Sequence, residues 1–357
     1  MPDPAGPTLG EGRTPASIAL VVNPAAAKGR APSLLPQVVG RLRDAGHPVD
    51  IALSRSPAEA RELVTRAAGS GADVLAVMGG DGMAHLGVNA VAGHAAAHPD
   101  GSALALALIP AGTGNDLARS LGLDPDDVDT ATDALASGAT RPVDLLRVSG
   151  APASDTHRGV WGVVPPQDGV SGAPASDTHR GVWGVDPPQD TVDGQWVGSV
   201  LASGFDALVN ARANRMHRPR GAARYTIAAL AELRTFRPLP YTLVVDGVQR
   251  ELEAMLVAVG NTSTYGGGLR ICPSADPYDG WLDVTVIHPV GRAKLLQLLP
   301  QMRTGRFAAD PCVEQLRARV VQVSRGAGIS YGDGEELGTT PVTIESVPGA
   351  IRVCLPS

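Results

Sequence analysis

Apolar residues gather into short unbroken runs over the first third of the chain, and helical spacing follows the early runs. IALVV (18–22) precedes a stretch in which Leu35, Val38, Val39 and Leu42 fall on one helical face. VDIAL (49–53) precedes Ala60, Leu63, Val64 and Ala67 at the same spacing, and DVLAVM (73–78) and ALALALI (103–109) repeat the run. Runs without polar alternation belong to strands covered on both faces, and strands that alternate with helices are joined by crossovers. The pattern therefore predicts an α/β domain over residues 17–141, built as a doubly wound parallel sheet.

Beyond Arg141 the texture changes. PVDLLRV, QWVGSVLASGF, YTLVVDGVQRELEAMLVAVGN, GWLDVTVIHP, RVVQVS and TIESVPGAIRVCL read as strands separated by turn residues. Asp246–Gly247 lies between two such runs, a hairpin signal. Helical spacing is confined to RYTIAALAELRTF and GRAKLLQLLPQMRTG. Residues 142–357 are thus expected to form a second, mainly antiparallel β-sandwich domain. One repeat interrupts it: 148–169 and 170–191 match at 20 of 22 positions. The unit is too short and too rich in Pro and Gly for a solenoid, so it is read as a duplicated loop insert.

Composition refines the picture only at its edges. Net charge is −6, which gives no general attraction to nucleic acid, and the three cysteines form no CxxC pair. Residues 1–16 are Pro- and Gly-rich without an apolar signal core and are expected to be a disordered tail. No apolar run is long enough to span a bilayer, so a cytoplasmic protein is expected.

Chemistry is expected at three turns that follow strands of the parallel sheet: NPAAAKGR (23–30), GGDGM (79–83) and PAGTGNDLAR (110–119). In open α/β sheets ligands bind at that edge, where glycine admits close backbone approach and helix starts favour anions. Thr113 and Asn115 offer a hydroxyl and an amide, and Asp116 is a candidate helix cap. Asp81 is a carboxylate beside an expected phosphate. Either it holds Mg2+, or it stabilises a tight turn. No Walker loop, dinucleotide GxGxxG, protein-kinase HRD or DFG element, or GxSxG elbow is present. His94 and His98 are four residues apart but lack the glutamate of a zinc HExxH motif.

VVNPAAAKGRA, VMGGDGMAHLGVNAV and IPAGTGNDLARSLG, in that order, resemble the diacylglycerol kinase catalytic domain, most closely the bacterial lipid kinases of that group. RPVDLLRV, GFDALV, NTSTYGGGLRICPSADPYDGWLDVTVI and YGDGEEL continue the resemblance over nearly the whole chain apart from the tail and the insert. It implies an ATP-dependent kinase that uses Mg2+ and phosphorylates a lipid hydroxyl, diacylglycerol first among the candidates. The nucleotide is then expected against Asn23, Pro24, Ala25, Ala26 and Ala27, then Ser54, then Gly79, Gly80, Asp81, Gly82, Met83, Ala84 and His85. Gly112, Thr113 and Asn115 complete that set. A structural magnesium is implied at Asp276 and Trp281 through backbone carbonyls and at Asp279 through its side chain. Glu335 is implied as general base, with Asp333 as the alternative, and Asp81 as a further catalytic carboxylate. Met83 stands where the family often has Thr, and Ala26–Ala27 where it usually has Ser-Gly.

The arginines of 210–237 (Arg212, Arg215, Arg218, Arg220, Arg224, Arg234 and Arg237) form either a contact for an anionic membrane surface or an ordinary solvated helix face. Three other functions remain open: a sphingosine- or ceramide-type lipid kinase, an NAD kinase, whose family also uses GGDG, and a non-catalytic lipid-binding protein. Oligomeric state is open too, a homodimer included.

Overall fold

The computed structural model describes residues 15–26, 31–99, 104–150, 194–216, 222–326 and 328–356. The first third alternates as read: β1 (Ile18–Val22), α1 (Ala31–Asp44), β2 (Val49–Leu53), α2 (Pro57–Ala68), β3 (Val74–Gly79), α3 (Asp81–Ala97) and β4 (Ala105–Pro110). Two helices follow, α4 (Asp116–Ser120) and α5 (Val128–Ser137), then β5 (Thr140–Gly150), β6 (Gln195–Val197) and β7 (Val200–Gly204). The remainder runs α6 (Phe205–Arg215), α7 (Ala222–Leu233), β8 (Leu239–Val245), β9 (Val248–Ala254), β10 (Leu256–Gly260), β11 (Leu282–Ile287) and α8 (Arg292–Met302). It closes with β12 (Val313–Ala318), β13 (Val320–Arg325), β14 (Ile329–Gly332), β15 (Glu335–Thr339) and β16 (Val342–Cys354).

The parallel strands lie in the order β2-β1-β3-β4. Side chains alternate between the two faces of this sheet. Leu75, Val77, Leu106 and Leu108 pack with Val64, Val88 and Val91 of α2 and α3. Val74, Ala76, Met78, Ala107 and Ile109 pack with Val38, Leu42 and Leu135 of α1 and α5. This double burial explains the missing polar alternation. Strand β2 departs from it, because it is the edge strand and leaves Ile51 and Leu53 exposed.

The sheet does not stop at β4. The last strand, β16, runs parallel to β4 through Arg352↔Ala105 and Val353↔Leu106 and antiparallel to β13, and β8 and β9 continue the sheet beyond it. Strand β5 pairs with β16 along most of its length and with β6. The second sheet is antiparallel, ordered β12-β11-β10-β7-β14-β15. Leu243, Val321, Val323 and Ile344 of the first sheet pack face to face with Leu201, Val257, Val259 and Val284 of the second, which makes the sandwich. Helices α6, α7 and α8 cover the second sheet's outer face through Phe205, Val209, Leu233, Leu295 and Leu298. The expected hairpin forms at Asp246–Gly247, both at positive φ (46° and 85°), as a type I′ turn requires. Most of the duplicated insert, 151–193, and the tail to residue 14 lie outside the described residues. No described helix is long and apolar enough to cross a membrane.

Candidate active site

Three loops meet at the carboxyl edge of β1, β3 and β4. After β1, Asn23 is buried and its Oδ1 accepts the Ala25 N–H at 3.0 Å, which curls Pro24 and Ala25 into a turn ending at buried Ala26. Ala27 lies outside the described residues. Gly80 and Gly112, from the loops after β3 and β4, touch backbone to backbone. A Cβ on Gly112 would lie 2.3 Å from the Gly80 Cα, so a side chain there would force the loops apart. Asn115 locks the third loop in a left-handed conformation (φ 54°), its amide bonding both N–H and C=O of Gly112. The second and third loops enclose a small gap lined by Gly79, Gly80, Ala84, Pro110 and Asn115 above Val77, Leu108 and Ile109, and Thr113 is exposed on the third loop.

Several expectations change here. Asp116 does not cap α4 with its own side chain. The cap comes from Asp81, whose Oδ1 accepts the Asp116 N–H at 2.6 Å and whose Oδ2 accepts the Asn115 N–H at 2.9 Å. Gly114 is needed for this approach, since a Cβ there would sit 2.2 Å from Asp81 Oδ2. The Asp116 carboxylate instead accepts the Gly267 and Gly268 N–H groups, both at 2.7 Å, and so ties the third loop to the triple-glycine turn. Burial raises both carboxyls. For Asp81, burial and the nearby Asp116 outweigh the two N–H donors and push its pKa up to about 7. Met83 is a core residue: its side chain is buried under Gly79, so it offers a ligand nothing beyond its backbone, and Gly82 and Ala84 are half-buried around it. The Ser54 hydroxyl is buried and donates to the Val22 carbonyl at 3.2 Å, so it too is already committed.

A second acidic element meets α3 at His85. Asp333 and Gly334 (φ 52° and 86°) form the two-residue turn between β14 and β15. Asp333 is nearly enclosed. Its Oδ1 accepts the Ser199 N–H at 2.8 Å, and its Oδ2 accepts the Gly198 N–H at 2.9 Å. The Oδ2 atom also lies 3.3 Å from Nδ1 of His85, one helical turn beyond Asp81. His85, expected beside the nucleotide, is in contact with this turn. Glu335 follows, half-buried. Burial raises its pKa, His85 and Arg61 lower it, and Asp333 raises it. The fold thus gathers Asp81, His85, Asp333 and Glu335, with Asp333 committed to three donors. Asp333 also contributes to the raised pKa of Asp81.

The DPYDGW loop is organised differently. Asp144 of β5 anchors it by accepting the Gly280 N–H at 2.6 Å and the Gly349 N–H at 2.7 Å. Asp276 accepts the Tyr278 N–H, and Asp279 accepts the Trp281 N–H at 2.9 Å. The other Asp279 oxygen is paired with Arg317, whose Nε also lies 3.7 Å from Asp283. Arg319 stacks over Trp281 and donates to the Gly280 carbonyl. The only side-chain ligand in the implied Asp276–Asp279–Trp281 set is therefore neutralised by a guanidinium. A resident magnesium does not fit this arrangement without displacing Arg317. Among the described residues, no group of three or more His, Cys, Asp or Glu side chains is placed to hold a metal ion.

Sequence reading missed Asp144, Arg317, the true partner of Asp116, and Asn89, whose amide contacts His85 and the backbone of Trp196. Asp144, Asp116 and Asn89 meet partners 107 positions away or more, so no local spacing pointed to them.

Comparison with known proteins agrees with this architecture. Residues 17–148 match the diacylglycerol kinase catalytic domain, and residues 199–355 match the YegS C-terminal NAD kinase beta sandwich-like domain. A protein of Mycobacterium tuberculosis (strain ATCC 25618 / H37Rv) named diacylglycerol kinase is 34% identical over 340 residues, 95% of each chain. A Stenotrophomonas maltophilia (strain K279a) protein named "Probable lipid kinase YegS-like" is 27% identical over 332 residues, 90% of this chain and 92% of its own. A solved structure of a Bacillus anthracis str. Sterne diacylglycerol kinase shares the fold with a TM-score of 0.67 at 22% identity, covering 96% of this chain and 97% of that one. Relatedness along 95% of both chains at 34% identity places this chain in the diacylglycerol kinase and YegS-like lipid kinase family, as a lipid kinase.

Proposed function

We propose that the protein transfers the γ-phosphate of ATP to the primary hydroxyl of diacylglycerol, giving phosphatidate and ADP. The observation that supports this reading is the meeting of α3 with the β14–β15 turn through His85 and Asp333, with Glu335 next to that contact. The nucleotide phosphates lie against the start of α3, beside the Gly80–Gly112 contact, where the helix dipole favours anions. Mg2+ enters with the nucleotide as part of the substrate. Each Asp81 oxygen keeps a second lone pair for a water of that ion.

Asp333 is consumed by Gly198, Ser199 and His85, so Glu335 is the carboxylate that takes the proton. The lipid hydroxyl gives its proton to Glu335 as its oxygen bonds to the γ-phosphorus. The bond from that phosphorus to the bridging oxygen breaks, and ADP leaves. Such a base contributes about 10²–10⁴-fold, and alignment supplies much of the rest. Arg212, Arg215, Arg234 and Arg237 are exposed on and after the α6–α7 pair, with Arg212 bonded to Glu232 at 2.5 Å. They suit a peripheral contact with anionic headgroups, each contributing on the order of 1 kcal/mol. Arg218, Arg220 and Arg224 fall where side chains are not described.

The deciding experiment incubates the protein with radiolabelled ATP, Mg2+ and mixed micelles of diacylglycerol, sphingosine or ceramide, with NAD as a further acceptor. Label is expected in phosphatidate. Label confined to a sphingoid base, ceramide or NAD overturns the acceptor, and no label in any product overturns the activity.

A further inference from the structure

Asn89 lies two turns into α3, and its side chain is fully engaged. Its Oδ1 accepts the Trp196 N–H at 2.9 Å and its Nδ2 donates to the Trp196 carbonyl at 2.9 Å. An amide paired on both sides with one residue's backbone can adopt only one of its two flipped orientations. The second Nδ2 hydrogen is shared between the His85 carbonyl at 3.0 Å and His85 Nε2 at 3.4 Å.

That orientation settles the imidazole. Nε2 faces a donor and therefore accepts, so the ring proton sits on Nδ1. Nδ1 in turn faces Asp333 Oδ2, which can only accept. Backbone pairing at β6 thus propagates through Asn89 and His85 to the carboxylate that holds the β14–β15 turn. The same residue joins α3, which begins at Asp81, to the strand that precedes Gly198 and Ser199, the other donors to Asp333.

We infer that Asn89 is a positioning residue: it fixes His85 as the Nδ1–H tautomer and thereby holds the Asp333 turn, and Glu335 with it, in register with the phosphate loops. The kinetic part of the inference rests on the lipid-kinase reading, while the tautomer part does not.

The test compares wild type, Asn89→Ala, Asn89→Asp, His85→Ala and the Asn89→Ala/His85→Ala double variant. Nitrogen-15 NMR of labelled histidine should show a protonated Nδ1 and a bare Nε2 for His85 in wild type. Asn89→Asp keeps an acceptor for the Trp196 N–H but removes the donor that faces Nε2, so the preference for the Nδ1–H tautomer should be lost. In Asn89→Ala, kcat should fall about 10–100-fold, as misplacement by about an ångström does, with a smaller change in the KM for ATP. The double variant should be no worse than His85→Ala, because both act on one path. Additive losses, or a His85 spectrum unchanged in Asn89→Asp, would overturn the inference. If wild type phosphorylates no acceptor, the function reading fails, and the NMR comparison still decides the role of Asn89. Should neither Asn89 variant fold, the wild-type spectrum decides alone, and a proton on Nε2 in place of Nδ1 overturns the inference.

Discussion

Two hairpin turns of this molecule are built alike. Asp246–Gly247 joins β8 to β9 and Asp333–Gly334 joins β14 to β15, and all four residues have positive φ. Each aspartate reaches sideways to a link between two strands: Asp246 accepts the Arg319 and Val320 N–H groups, both at 2.9 Å, and Asp333 accepts those of Gly198 and Ser199. The residue after each Asp-Gly pair is the difference. Val248 is 64% exposed at the sheet edge, whereas Glu335 is half-buried beside His85 and Asp333. Identical local chemistry thus serves as a plain turn in one place and carries a candidate base in the other, and what separates them is the helix packed opposite.

Replacing Glu335 by Gln should break the comparison most. Turnover is expected to fall about 10²–10⁴-fold with little change in melting temperature, measured by lipid phosphorylation and calorimetry. Near-normal turnover would return the turn to a purely structural role. The paired substitutions Asp333→Ala and Asp246→Ala sharpen it. The former strips two enclosed N–H groups of their acceptor, at about 1–3 kcal/mol each. The latter exposes its donors to water and should cost less, and only Asp333→Ala should also lose activity. Equal losses of stability and activity in both would erase the distinction.

A third effect is seen against pH. Asp81 rises on folding from the ordinary 3.8 to about 7, so the folded state holds its proton more tightly than the unfolded chain does. That contribution to stability is whole below pH 3.8 and is lost as pH climbs toward 7. Asp81→Asn should flatten chemical-denaturation stability across that window, and an unaltered slope would show that Asp81 titrates normally. The smallest effect is expected for Val248→Gln, which occupies the position equivalent to Glu335 and should change stability by no more than about 0.5 kcal/mol and activity not at all.

The parallel half of the fold was legible because burial on both faces leaves a pattern in the chain: IALVV and DVLAVM became β1 and β3 nearly to the residue. The close approach of two loops at the sheet edge was legible from glycine, since the Gly80–Gly112 contact tolerates no side chain. Partner choice was not legible. Asp116 read as a cap but serves Gly267 and Gly268, and Asp279 read as a metal ligand but is held by Arg317, because those partners are 38 residues away or more.

The amino-acid sequence by itself determined the alternation of strands and helices, the glycine turns at the sheet edge and the Asp246–Gly247 hairpin, all of which depend on neighbours within a few positions. Only the tertiary structure decided that β16 would insert beside β4, that Asp81 would cap α4, and that His85 would meet Asp333 across 248 residues of chain. A carboxylate's role depends on which donors surround it, and those donors are brought to it by strand order and packing, which no local spacing encodes.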